Sequence, residues 1–215
     1  MKRALEGMDF TNVTVMPNCK ELKILKPGEI VYPEALPYKL CTFSRVMKEK
    51  GVEDAFKAVE TINGQYEKTV FTLDIYGQIE PGQEEWFDKL KDSFSSTVHY
   101  GGVVPFDQST DVLKYYYALL FPTYYAGEGF AGTLIDAMAA GVPVIASDWK
   151  YNPEIVQSGI TGIVYELANE DGLATALKYA LEHHTEWNRM KLSSIEESTR
   201  YLTQNATKIL IKELA

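Results

Sequence analysis

The chain has 215 residues, 46% hydrophobic and 24% charged, with a formal net charge of -9 and a pI near 4.9. That length supports one good core and is short for two full domains, the composition argues against disorder, and the acidic balance argues against nucleic acid as the main partner. No apolar run reaches the roughly 18 residues that span a bilayer, the N-terminus lacks the apolar core of a signal peptide, and Cys19 and Cys41 have neither metal spacing nor a disulfide framework, which fits a reducing cytoplasm.

Along the chain, residues 1–26 read as a short polar helix, a strand over 12–16 and the turn Pro17-Asn18. Residues 26–37, rich in Pro and Gly, read as a linker or edge segment. Alternation follows. Strands are expected over 36–44, 70–77, 98–101, 117–121, 142–147 and 162–165, with helices over 51–62, 84–94, 110–116 and 132–140 and a helical turn over 153–157. Helices over 170–183, 186–197 and 201–214 close the chain. Strands alternating with helices predict right-handed crossovers and a mostly parallel, Rossmann-like α/β sheet flanked by helices. Runs such as Leu119-Leu120-Phe121 and Val142 to Ala146 suit strands buried on both faces. Ligands of such sheets sit beyond the carboxyl ends of the strands, and Arg45, Gly77, Glu128 and Asp148 follow strands directly or nearly so.

The most informative segment runs Glu128-Gly-Phe-Ala-Gly-Thr-Leu-Ile-Asp136-Ala-Met-Ala-Ala-Gly141-Val-Pro-Val-Ile-Ala-Ser-Asp148. Two carboxylates, Glu128 and Asp136, stand eight positions apart across the start of a helix. Free N–H groups at that start make an anion site, to which Phe130, Ala131, Gly132 and Thr133 would contribute. Gly127 and Gly129 let the backbone approach closely. Each carboxylate can accept two hydrogen bonds from a vicinal diol. Phosphate in the middle and hydroxyl-rich groups on either side describe a nucleotide sugar. Blander readings exist: Glu128 as an acid complementing the helix dipole, Asp136 as a polar residue on an exposed helix side, and the glycines as turn chemistry. Asp136 nevertheless has apolar neighbours in Leu134, Ile135 and Met138, where a carboxylate is costly without a partner.

The same residues also spell G-x-G-x-x-G, Gly127 to Gly132, with Asp148 about 20 residues on, as a dinucleotide site requires. An NAD- or NADP-dependent oxidoreductase is therefore the alternative reading. Against it, several residues separate the strand ending near Pro122 from Gly127, Glu128 would face a pyrophosphate, and the motif lies past the middle of the chain. Arg45 and Lys50, five apart and leading into a helix, supply cations suited to a diphosphate; alone they would read as a solvated helix start.

The segment from Glu128 to Ala146 resembles the carboxylate-pair motif of retaining glycosyltransferases of the two-domain GT-B fold, family 4 in particular, with Glu128, Gly129, Phe130, Ala137, Met138, Gly141, Pro143, Val144, Ile145 and Ala146 in place and Asp136 standing where the family has Glu. The resemblance implies that Arg45 and Lys50 grip the donor diphosphate, that Glu128 holds the donor sugar, that Asp136 takes the ribose diol, and that Gly77 and the backbone near Val104 face the nucleotide. It implies no cofactor and no metal, protein cations taking the metal's place. It divides the chain into residues 1–35, the end of an N-terminal domain with its linker, and residues 36–215, the nucleotide-sugar-binding domain. The partners implied are a nucleoside-diphosphate sugar, a saccharide or lipid-linked acceptor, an N-terminal domain beyond these residues, and peripheral contact with the cytoplasmic face of a membrane. The expected reaction is hexosyl transfer to an acceptor hydroxyl with retained configuration, in bacterial surface-polysaccharide synthesis, with the chain alone transferring little or nothing. A nucleotide-sugar epimerase, a phosphorylase and a non-catalytic nucleotide-binding module stay open beside it.

Overall fold

A computed structural model describes residues 2–16 and 18–214. Six strands form one parallel sheet: β1 (Tyr38–Phe43), β2 (Phe71–Tyr76), β3 (Val98–Gly102), β4 (Ala118–Phe121), β5 (Val144–Ser147) and β6 (Gly162–Tyr165), in the order β3-β2-β1-β4-β5-β6. The expected alternation is realised. The helices are α1 (Lys2–Glu6), α2 (Val52–Asn63), α3 (Glu84–Lys91), α4 (Ser109–Leu113), α5 (Gly132–Ala139), α6 (Asn152–Ile155), α7 (Gly172–Glu182), α8 (His184–Ser198) and α9 (Thr203–Leu214).

The central strands bury both faces, and alternate residues feed two cores. Leu40, Leu120 and Ile145 join α2, α3, α7 and Trp187 on one side, while Cys41, Leu119 and Val144 join α4, α5 and Tyr201 on the other. Every residue of β4 and β5 is buried, which explains their unbroken apolar runs.

Two expectations change. Residues 12–16 form no strand; Val15 and Met16 are exposed, and a strand without a partner leaves its backbone groups unpaired. The predicted turn falls on Pro17, outside the described residues, while the Asn18 side chain accepts from the Cys19 N–H at 3.0 Å. The strand expected over 36–44 begins only at Tyr38, because Pro37 has no N–H to give the ladder.

The chain proceeds outward from β1 to β3, then returns to the centre and proceeds the other way from β4 to β6. The crevice beyond the carboxyl ends of β1 and β4 is thus the topological switch point, where open α/β sheets bind ligands.

Candidate functional site

Two loops meet at this crevice. After β1, Ser44 and Val46 keep pairing with the neighbouring chain through Tyr76 and Gln78 carbonyls at 3.1 and 2.8 Å, so Arg45 is carried on an anchored backbone. Gly77 makes this possible. Its φ is +139°, and a Cβ there would come within 1.7 Å of the Ser44 carbonyl oxygen, which only glycine avoids. A 3-10 turn over Lys48–Lys50 and Gly51 in the left-handed region (φ 70°) then lead into α2.

After β4, residues 122–131 form the second loop. Lys50 Nζ lies 2.5 Å from Glu128 Oε2, and the two side chains are only 9% and 8% exposed. The Thr123 hydroxyl donates to the same carboxylate oxygen at 2.9 Å. The Lys50 ammonium lies 5.5 Å from the Phe121 ring centre and 5.3 Å from that of Tyr125. Arg45 sits over the same Tyr125 ring at 5.6 Å and donates to Glu80 Oε2 at 2.7 Å. Tyr125 is therefore the shared floor of both cations.

Beyond Glu128 the chain enters α5 through Ala131, with no side-chain cap and no acidic residue in the first turn. The orphan N–H groups of such a first turn favour a nearby anion. Thr133 Oγ1 is buried there without a hydrogen-bond partner, a state native structures rarely leave unexplained. A Cβ added at Gly129 or Gly132 would meet nothing within 4 Å. Open space, unused donors and an orphaned hydroxyl thus coincide. Phe130 packs against Tyr201 at 5.5 Å between ring centres.

Asp136 lies one helical turn beyond Gly132, on the same face of α5. It is buried, and Lys20 Nζ lies 2.5 Å from its Oδ1. Burial pushes its carboxyl above the ordinary range, and Lys20 pulls it part of the way back. Val104 is half-buried in the loop after β3, following Gly102 at φ 76°. Gly77 and Val104 therefore stand at the ends of β2 and β3, beside the switch point rather than over it. Among the described residues no group of three His, Cys, Asp or Glu is placed to hold a metal. Cavities of about 550 and 440 Å³ flank α7, but Arg45, Lys50, Glu128 and Asp136 line neither; the site is an open rim. Sequence reasoning missed Thr123, Glu80 and Lys20, which serve the site as partners of Glu128, Arg45 and Asp136. None lies in a motif with its partner, and only the fold brings them together.

Residues 37–183 match the family of glycosyl transferases group 1. The chain belongs to that family. It is 26% identical over 215 aligned positions to the GtfA subunit of UDP-N-acetylglucosamine–peptide N-acetylglucosaminyltransferase from Streptococcus gordonii, covering 94% of this chain and 40% of that one. The fold is similar to a lipopolysaccharide outer core galactosyltransferase in its apo form, with TM-score 0.76, 19% identity, and 99% and 58% of the two chains covered. It is also similar to an Anabaena protein in complex with UDP and glucose, with TM-score 0.71, 17% identity, and 82% and 48% covered. The chain spans about two fifths of the length of the curated relatives it matches.

The group 1 domain is thus Rossmann-like, of the GT-B type, and the dinucleotide reading of Gly127 to Gly132 is not favoured. Residues 122–131 separate β4 from α5, whereas a dinucleotide turn is immediate. Asp148, the acid that reading needs for a ribose, instead accepts from the Leu167 N–H at 2.9 Å.

Proposed function

We propose that this chain is the donor-binding half of a retaining glycosyltransferase that moves a hexosyl group from a nucleoside-diphosphate sugar to an acceptor hydroxyl in polysaccharide synthesis. One observation carries the reading: Lys50, Arg45, Glu128 and the uncapped N-terminus of α5 converge at the switch point of the sheet. UDP is the nucleotide we favour, in line with the complex of the Anabaena protein.

In the reaction the bond from the anomeric carbon to the diphosphate oxygen breaks and its electron pair stays with the diphosphate. The acceptor oxygen bonds to the anomeric carbon from the same face, and its proton passes to the departing phosphate oxygen. Charge grows on the diphosphate, so fixed cations and oriented N–H groups lower the barrier most when they sit where that charge develops. Lys50, Arg45 and the amides of Gly132 and Thr133 are the groups we assign to this. Donor entry requires Lys50 to turn from Glu128 to phosphate, which frees the Glu128 carboxylate for the sugar hydroxyls. Asp136 takes the ribose diol. The acceptor and the remaining acid–base groups come from an N-terminal domain beyond these residues, so the chain alone transfers little or nothing. The acceptor is a saccharide or a lipid-linked chain; a lipid-linked one would bring the complete enzyme to the cytoplasmic face of a membrane. Residues 1–35 belong with the linker and 36–215 with the donor domain.

Calorimetric titration with UDP, GDP, ADP and NAD tests the reading on the parent and on Arg45→Ala. Saturable binding of one nucleoside diphosphate, weakened in the variant, is expected. Binding of NAD with no nucleoside diphosphate would overturn it.

A further inference from the structure

The loop that carries Glu128 is gripped from β5. Directly after that strand, Trp149 Nε1 donates to the Tyr125 carbonyl at 2.8 Å, and the Lys150 ammonium donates to the next carbonyl, that of Ala126. Lys150 adopts φ 48°, a left-handed conformation that a non-glycine residue holds only when its surroundings impose it. Beneath them Ser147 Oγ, fully buried, donates to the Thr123 carbonyl at 2.6 Å. Asn152 Nδ2 donates to the Ser147 carbonyl at 3.1 Å, and the Asn152 N–H to the Trp149 carbonyl at 3.1 Å, closing the turn on itself.

These bonds fall on three residues of one loop, Thr123, Tyr125 and Ala126, and the first two touch the site directly. Thr123 holds the Glu128 carboxylate. Tyr125 supplies the ring beneath both Arg45 and Lys50 and accepts from the Glu128 N–H at 3.0 Å. A Cβ at Gly127 would strike the Tyr125 ring at 2.7 Å, so the ring lies directly against the loop that it stabilises.

We infer that Trp149 and Lys150 are positioning residues for the donor: by fixing two consecutive carbonyls they hold Tyr125 under the cation pair and keep Glu128 within reach of Lys50. The inference deepens the donor-site reading and rests on it. It also makes the Trp149 indole a built-in reporter, since its ring nitrogen is bonded to the loop the donor must touch.

The test uses Trp149→Phe, which keeps an aromatic ring and removes the N–H, Lys150→Met, which keeps the stem and removes the charge, and Lys150→Arg as the conservative rescue. Three quantities are read on each: the thermal midpoint, hydrogen exchange at the amides of residues 125–128, and the affinity for UDP. The expected result is a midpoint near the parent's, faster exchange confined to residues 125–128, and UDP affinity lower by about tenfold in the Phe and Met variants, with Arg close to the parent. Exchange unchanged in both variants would overturn the inference, as would faster exchange with UDP affinity unmoved. Should the parent bind neither UDP, GDP nor ADP, the donor-site reading itself falls, and the exchange data still decide separately whether the two residues hold the loop.

Discussion

The Lys50 ammonium and the Glu128 carboxylate, contributed by loops after β1 and β4, form a buried ion pair at 2.5 Å. Each is the other's counter-charge, and Thr123 supplies a further hydrogen bond to the carboxylate. Without a ligand the two groups proposed to meet the donor neutralise each other. Removing one leaves a buried charge uncompensated, which costs about 3–5 kcal/mol. Lys50→Met and Glu128→Leu should each destabilise the fold by about that amount, while the double variant should lose far less than their sum. Denaturant unfolding of the three proteins measures this; strictly additive losses would mean that the pair is not coupled.

The glycines divide by what surrounds them. Gly77→Ala drives a Cβ into the Ser44 carbonyl and should cost more than about 3 kcal/mol or prevent folding. Gly132→Ala meets no neighbour and replaces a poor helix former, so it should leave stability within about 1 kcal/mol of the parent's or raise it. If the space at Gly132 belongs to a diphosphate, the same variant should bind UDP at least about tenfold more weakly. Full UDP affinity in a well-folded Gly132→Ala would show that no ligand occupies that space.

Much of this was legible in the sequence because it is local. The apolar runs of β4 and β5 announced strands buried on both faces, and Glu128 to Gly141 named a helix start with its acids. The order of elements implied a parallel sheet but not the strand order, which depends on where each crossover lands. Partners were hidden. Lys50 and Glu128 are 78 residues apart, and Lys20 reaches Asp136 only because residues 20–25 lie along α5, where the Leu25 N–H donates to the Ala139 carbonyl at 3.0 Å. The strand expected over 12–16 failed for the converse reason: its pattern was right, but a strand needs a neighbour, and sequence does not supply one.

Lys191 sets a pH dependence away from the site. It is fully buried on α8 with no acid beside it among the described residues, and its ammonium donates to the Tyr116 and Gly141 carbonyls at 3.2 and 3.3 Å. Burial pushes its pKa down from 10.5 to about 8. The folded state therefore binds fewer protons than the unfolded state between those values, so stability rises with pH from about 8 to about 10.5 and falls as pH drops through 8. The whole rise amounts to about 3 kcal/mol. Lys191→Met should abolish that slope, as read by denaturant unfolding across the window. A slope that persists in the variant would assign it to another group.

Lys20 and Asp136 make the last prediction, because their contact competes with the role proposed for the acid. Lys20 Nζ takes up one oxygen of a carboxylate that would accept the ribose hydroxyls, and the lysine side chain is 37% exposed while the aspartate is 11% exposed. An ion pair with one exposed partner contributes at most about 1 kcal/mol, so a ribose diol can displace it, and its removal should ease binding rather than hinder it. Lys20→Met should tighten UDP binding by up to about fivefold, an effect that shrinks with added salt. Asp136→Asn should weaken UDP binding in the same titration, because the amide offers one acceptor oxygen in place of two. If Asp136→Asn leaves UDP affinity unchanged, the ribose lies elsewhere and the Lys20 contact serves only to fasten residues 20–25 to α5.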